Sequence, residues 1–205
     1  MQKPILFSTP MVRAILDDRK NVTRRVVKPQ PPTSLSKVID SGIWTFTCSN
    51  PGEEWKCPYG QPGDLLWVRE TFAIIDDREF GGKRYPQYKV DRPNDAYPGD
   101  WPEEEARGNP DAPKWKPSIF MPKKYARIWL EITGVRVERL QDITYAEVIA
   151  EGLTWLLTDE QQTDGEHRRG GIRAFKRLWD SINGKKHPWE SNPYCWVIEF
   201  RRIEK

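Results

Sequence analysis

The 205-residue chain reads as an α+β protein: a small, mostly antiparallel β-barrel with flanking helices and a long irregular insertion. Three observations lead there. Strand-like segments come in runs and do not alternate regularly with helices, which argues against a parallel α/β sheet. The run Leu65-Leu66-Trp67-Val68 is apolar without a break, so its strand should be buried on both faces, as in a small barrel. Residues 76–118 are rich in Pro, Gly, Trp and charge, hold no sustained period and lack the apolar residues for a core of their own.

The elements follow in order. Residues 3–7 (KPILF) predict a short strand, and Ser8 or Thr9 then caps a helix with Pro10 near its first position. Met11, Ala14, Ile15 and Leu16 supply its apolar stripe, through about Asp18. The segment 19–31 is basic and extended, and Pro29, Pro31 and Pro32 stop it. Residues 43–47 (IWTFT) alternate like a strand. Pro62-Gly63-Asp64 forms a turn into the strand that begins at Leu65. Residues 125–139 carry the strongest β signal, with Gly134 marking a bend or bulge.

Thr144 then opens a helix as N-cap, with Glu147 completing a capping box and Gly152 closing it just after Glu151. A second helix is predicted over Ile172–Ile182, with Phe175, Leu178, Trp179 and Ile182 on one face and Gly184 beyond its end. The chain closes on the strand CWVIEFRRI, residues 195–203. No internal repeat is present. A single domain over 1–205 is expected, with extra material at about 30–60 and 76–118.

Composition narrows the function classes. There is no run of ~18 apolar residues, so no membrane span is expected, and the N-terminus lacks the basic and apolar regions of a secretory signal. A cytoplasmic location is the default. The net charge of +3 says little by itself, but the basic residues cluster. Arg19, Lys20, Arg24, Arg25 and Lys28 form one group; His167, Arg168, Arg169, Arg173, Lys176 and Arg177 form another. Each is either a solvated face or a nucleic-acid contact. Cys48, Cys57 and Cys195 fit no metal-binding spacing, so free thiols and no zinc are expected. Ten tryptophans require a large core or stacking surfaces.

The stretch Asp18-Arg19-Lys20-Asn21-Val22-Thr23-Arg24-Arg25 resembles the signature of the ASCH family, a branch of the PUA-like superfamily: Gly-x-Lys-x-x-Glu-x-Arg after a short first helix. Lys20 and Arg25 match, while Asp18 stands for the glycine and Thr23 for the glutamate. The small bacterial N4-acetylcytidine amidohydrolases of that family look like Lys-x-x-Thr-x-Arg at the same place. Four further segments are similar in the same order: Gly63–Val68, Leu130–Thr133, Ala150–Leu153 and Val197–Phe200. The whole chain also resembles a group of phage and prophage proteins, labelled morphogenetic, that carry CPYGQPGD, LWVRE and WDSING.

This resemblance implies a PUA-like barrel whose cleft binds a nucleobase or nucleic acid, RNA ahead of DNA. It implies an amidohydrolase acting on N4-acylated cytidine or a related modified pyrimidine, without metal or other cofactor. Thr23 would be the nucleophile, Lys20 its base if burial lowers its pKa, and Glu151 the proton shuttle to the leaving amine. Arg24 and Arg25 would bind substrate or phosphate, and Trp67, Arg69 and Glu70 would line the same cleft. Read without the resemblance, the same residues are a phosphate-contacting or solvated lysine, a strand threonine and a surface glutamate whose charge opposes its helix dipole. A binding module without chemistry and a metal-independent ribonuclease are the alternatives.

Overall fold

The computed structural model describes residues 1–31, 36–40, 43–47, 54–77, 83–92, 98–100, 102–110, 112–153 and 164–204. In chain order these form β1 (Gln2–Leu6), α1 (Thr9–Leu16), β2 (Val22–Val26), β3 (Ser36–Asp40), β4 (Ile43–Thr47), β5 (Glu54–Lys56), β6 (Leu65–Arg69), β7 (Phe72–Asp77) and β8 (Lys83–Tyr88). After them come α2 (Glu103–Ala106), β9 (Trp129–Arg139), α3 (Tyr145–Ala150), α4 (Asp164–Asn183) and β10 (Tyr194–Ile203), with short 3₁₀ turns between. The architecture is mixed α+β, and the strands pair antiparallel except β1 with β6.

The principal sheet has five strands in the order β1-β6-β9-β10-β2. Here the expectation of a barrel needs correction, because this sheet is not closed. β1 and β2 lie at its two edges, joined in sequence through α1. Where a closed barrel would have backbone pairing, a side chain reaches across: Arg25 on β2 donates to the Leu6 carbonyl at the end of β1, 2.6 Å away. The unpaired stretch between the edges is where the candidate site opens.

Burial on both faces explains the apolar runs. From β10, Trp196, Ile198 and Phe200 join Ile5, Leu66, Leu130, Ile132, Val12 and Ile15 in one core, with α1 packed over it. Cys195, on the opposite face, joins Leu140, Val148, Leu153, Phe175 and Trp179 in a second core beneath α3 and α4. A strand covered on both sides cannot show polar alternation. Burying a side chain of this size contributes roughly 1.5–3 kcal/mol, which favours the two-sided arrangement.

The local punctuation follows its chemistry. Thr144 caps α3, its side chain accepting from the Glu147 N–H while Glu147 accepts from the Thr144 N–H, so the capping box is formed. Ser8 occupies the N-cap of α1 but makes no side-chain cap bond. Gly134 sits at the β-bulge between β9 and β10, and a Cβ there would lie 2.6 Å from the Glu199 carboxylate.

Two further expectations are revised. The stretch 76–118 is not wholly irregular: β8 forms a hairpin with β7, and Phe72 bridges Lys116. The half-exposed, charged face of β8 hides its period, and Pro86 sits on this outer strand where a missing N–H is tolerated. Likewise α4 begins at Asp164 rather than Ile172. Gly170 and Gly171 predict a break, each costing about 1 kcal/mol in a helix. Gly171 is buried within the helix. Region 30–60 contributes a separate three-stranded sheet, β3-β4-β5, of which only the 43–47 strand was expected. Among the described residues no helix is long and apolar enough to cross a membrane.

Candidate functional site

The turn after α1 delivers the site's central side chain. The backbone N–H groups of both Arg19 and Lys20 donate to the Ala14 carbonyl, and Asp18 takes φ +55° to make that turn. Aspartate enters this left-handed region more readily than most non-glycine residues, which accounts for Asp18 at this turn. Lys20 then bridges Glu151 as an isolated antiparallel pair, and the Asn21 N–H donates to the Ala150 carbonyl at 3.0 Å. Gly152, at φ +84°, keeps this approach possible. A Cβ there would lie 2.8 Å from Ala14 Cβ and 3.0 Å from Lys20 Cβ.

The four residues Lys20, Thr23, Arg24 and Glu151 are only 4%, 4%, 6% and 5% exposed. Lys20 Nζ donates to Glu151 Oε2 (2.6 Å), to the Val22 carbonyl (2.7 Å) and to the Glu151 carbonyl (3.0 Å). Lys20 and Thr23 both line the same cavity. Burial pushes the Lys20 pKa below the usual 10.5; Glu151 opposes that shift, and the Arg25 and Arg24 charges add to it.

Arg24 Nη2 lies 3.0 Å from Glu147 and 3.3 Å from Glu138, and its Nη1 lies 3.5 Å from Glu151 Oε1. Behind this row, Arg136 ties together Glu138, Glu147 and Glu199. Burial raises the Glu147 pKa, but the Thr144 N–H, Arg24, the Thr144 hydroxyl and Arg136 outweigh it and hold the carboxyl below the usual range. Three buried atoms of the row have no hydrogen-bond partner: Arg24 Nε, Arg24 Nη1 and Glu151 Oε1.

These side chains line a cavity of about 950 Å³. Phe7, Trp55 and Tyr59 contribute to one side, Phe175 and Trp179 from α4 to another. At its mouth the Arg25 guanidinium faces the rings of Phe7 (5.2 Å) and Tyr59 (5.9 Å).

The structure therefore brings Lys20, Thr23, Arg24, Arg25 and Glu151 into one cavity wall. Trp67, Arg69 and Glu70 lie outside that lining. Trp67 is buried opposite Trp129, with the Arg69 guanidinium 5.1 Å from its ring. Glu70 is fully buried and accepts two 3.0 Å bonds from Arg127. The divergence comes from Arg69 and Glu70 sitting at the β6–β7 corner, where Arg69 donates to the Met121 carbonyl.

The aromatic walls and the carboxylates Glu138, Glu147 and Glu199 were not anticipated. Only Glu147 left a trace, as a capping residue. Burial raises the pKa of Cys57 and carries that of Cys195 up to about 12, which disfavours the thiolate at both. Cys48 and the side chains of His167 and Arg168 lie outside the described residues. Arg169, Arg173 and Arg177 project from α4 as an exposed face, away from this lining. Among the described residues no group of three or more His, Cys, Asp and Glu could hold a metal ion. Comparisons with protein-family models, with curated proteins and with solved structures find no match.

Proposed function

We propose that this chain is an ASCH-type, PUA-like domain that binds a nucleobase and hydrolyses the amide of an N4-acylated cytidine or related modified pyrimidine. The observation that carries the reading is the buried Lys20–Glu151 pair, 2.6 Å apart, in the wall of a cavity that Thr23 also lines. Desolvation and two neighbouring arginines favour the neutral amine on Lys20. Transfer of one proton along the Lys20–Glu151 bond creates a neutral base and a protonated acid together, with no change in net charge. Thr23 Oγ1 then attacks the acyl carbon while Lys20 takes its proton. Glu151 protonates the departing exocyclic nitrogen as the C–N bond breaks. The proton then passes back from Lys20 to Glu151; Lys20 takes a proton from the water that attacks the acyl carbon, and Glu151 gives its proton to Thr23 Oγ1 as the ester C–O bond breaks.

A second reading is a binding module without chemistry. It draws on the three acceptors that occupy the Lys20 ammonium, an arrangement that also suits a purely structural lysine. Incubation with N4-acetylcytidine, free and within RNA, followed by chromatography for cytidine, separates the two. On the enzyme reading, Thr23→Ala and Lys20→Ala each lower turnover by at least about 10². Undiminished turnover in Thr23→Ala would sink the nucleophile assignment. Retention of RNA without conversion would favour the binding module.

A further inference from the structure

The charges of the cavity wall are unevenly matched. The cations Lys20, Arg24, Arg25 and Lys28 line it together with the carboxylate of Glu151. The inner two are compensated: Lys20 by Glu151, and Arg24 by Glu138, Glu147 and Glu151. Among the described residues, Arg25 and Lys28 have no carboxylate at ion-pair distance. Arg25 is held by the Leu6 carbonyl and two aromatic rings, and its buried Nε has no partner. Lys28 is exposed at the end of the same strand. The N-terminus of α1 opens beside them, with the Ser8 side chain lining the cavity instead of capping the helix. Positive charge thus rises from a neutralised interior to a cationic mouth.

A neutral nucleoside makes no use of that gradient. A phosphate does, because charge-assisted hydrogen bonds from a guanidinium and an ammonium are about twice as strong as neutral ones. A helix N-terminus at the same mouth adds partial positive charge. The cavity also sits near the upper end of the roughly 300–1,000 Å³ range of small-molecule sites, leaving room beyond a single base.

From these features we infer that the cavity mouth is a phosphate site. Arg25 and Lys28 are its ligands, and the substrate is a phosphate-bearing nucleotide rather than a free nucleoside. The inference rests on the nucleobase reading above, and either a mononucleotide or one unit of a strand carries the required phosphate.

Binding of cytidine, cytidine 5′-monophosphate, ribose 5-phosphate and a ten-nucleotide single-stranded RNA to the full chain tests this by calorimetry across a salt series. The monophosphate should bind about tenfold more tightly than cytidine at low salt. That advantage should shrink with salt and disappear in an Arg25→Gln/Lys28→Gln double variant. A further gain for the RNA, with a salt slope reduced by roughly one in Lys28→Gln, would mark the strand as the source of the phosphate; equal affinity of RNA and monophosphate would mark the mononucleotide. Equal affinity for cytidine and its monophosphate overturns the phosphate site and leaves the nucleobase reading standing. Binding of ribose 5-phosphate with no gain from the base supports the phosphate site and removes the nucleobase. If none of the four probes binds, both fall.

Discussion

Among the described residues two glutamates, Glu70 and Glu151, are buried against cations, and the two sites are built differently. At the β6–β7 corner, Glu70 is closed off. Arg127 meets both of its oxygens at 3.0 Å, bonds Asp91 as well, and lies 3.9 Å from the centre of the Tyr88 ring. In the cavity wall, Glu151 is satisfied on one oxygen only; its Oε1 and two Arg24 nitrogens have no hydrogen-bond partner. A buried pair needs its remaining hydrogen-bonding capacity filled to offset desolvation. The first site meets that condition and serves the fold. The second leaves Glu151 Oε1 with only the longer 3.5 Å approach of Arg24 Nη1, so its hydrogen-bonding capacity is not filled.

The largest effect should come from breaking the closed pair. Arg127→Ala strands Glu70 in the interior and should cost about 3–5 kcal/mol, read from the urea midpoint at constant m-value. Lys20→Met should cost less, about 1–3 kcal/mol, because Arg24 remains 3.5 Å from Glu151 to balance its charge. Equal losses in the two variants would erase the contrast between them.

A smaller effect concerns pH. Lys20 titrates below 10.5 in the folded protein because burial disfavours its charge. Between the folded pKa and 10.5 the unfolded chain therefore binds more protons, and stability from this group rises with pH across that window. Glu151 holds the proton on Lys20, so Glu151→Gln should move the titration further down. Nitrogen NMR of the Lys20 side chain reads this directly, and an upward shift would contradict the assigned coupling. The smallest expected change is about 1 kcal/mol for Thr144→Ala, which removes the α3 cap and one of the groups holding Glu147.

Features with local causes were legible in the sequence. The capping box at Thr144 and Glu147, the left-handed Gly152 and the strands at residues 43–47, 65–69 and 195–203 follow from neighbouring residues and short-range geometry. So does the tolerance of Asp18 for its turn. The basic run 19–28 likewise marked the site, with Lys20, Thr23 and Arg25 on it.

What remained hidden depended on distant partners. Lys20 and Glu151 are 131 residues apart in sequence, and Arg24 and Glu138 are 114 apart. No pattern in a basic segment reveals which of its cations the fold will neutralise. Trp67 and Arg69 share the face of β6 opposite Leu66 and Val68, and Glu70 lies at the corner beyond it, all outside the cavity lining. The open sheet edge was equally illegible, because pairing between β1 and β2 is a matter of three-dimensional reach and not of residue pattern. By itself the sequence determined several of the elements, the α3 capping box and the residue types available for chemistry. Tertiary packing alone decided that the sheet stays open between β1 and β2, that a cavity forms there, and that its inner charges are matched while those at its mouth are not.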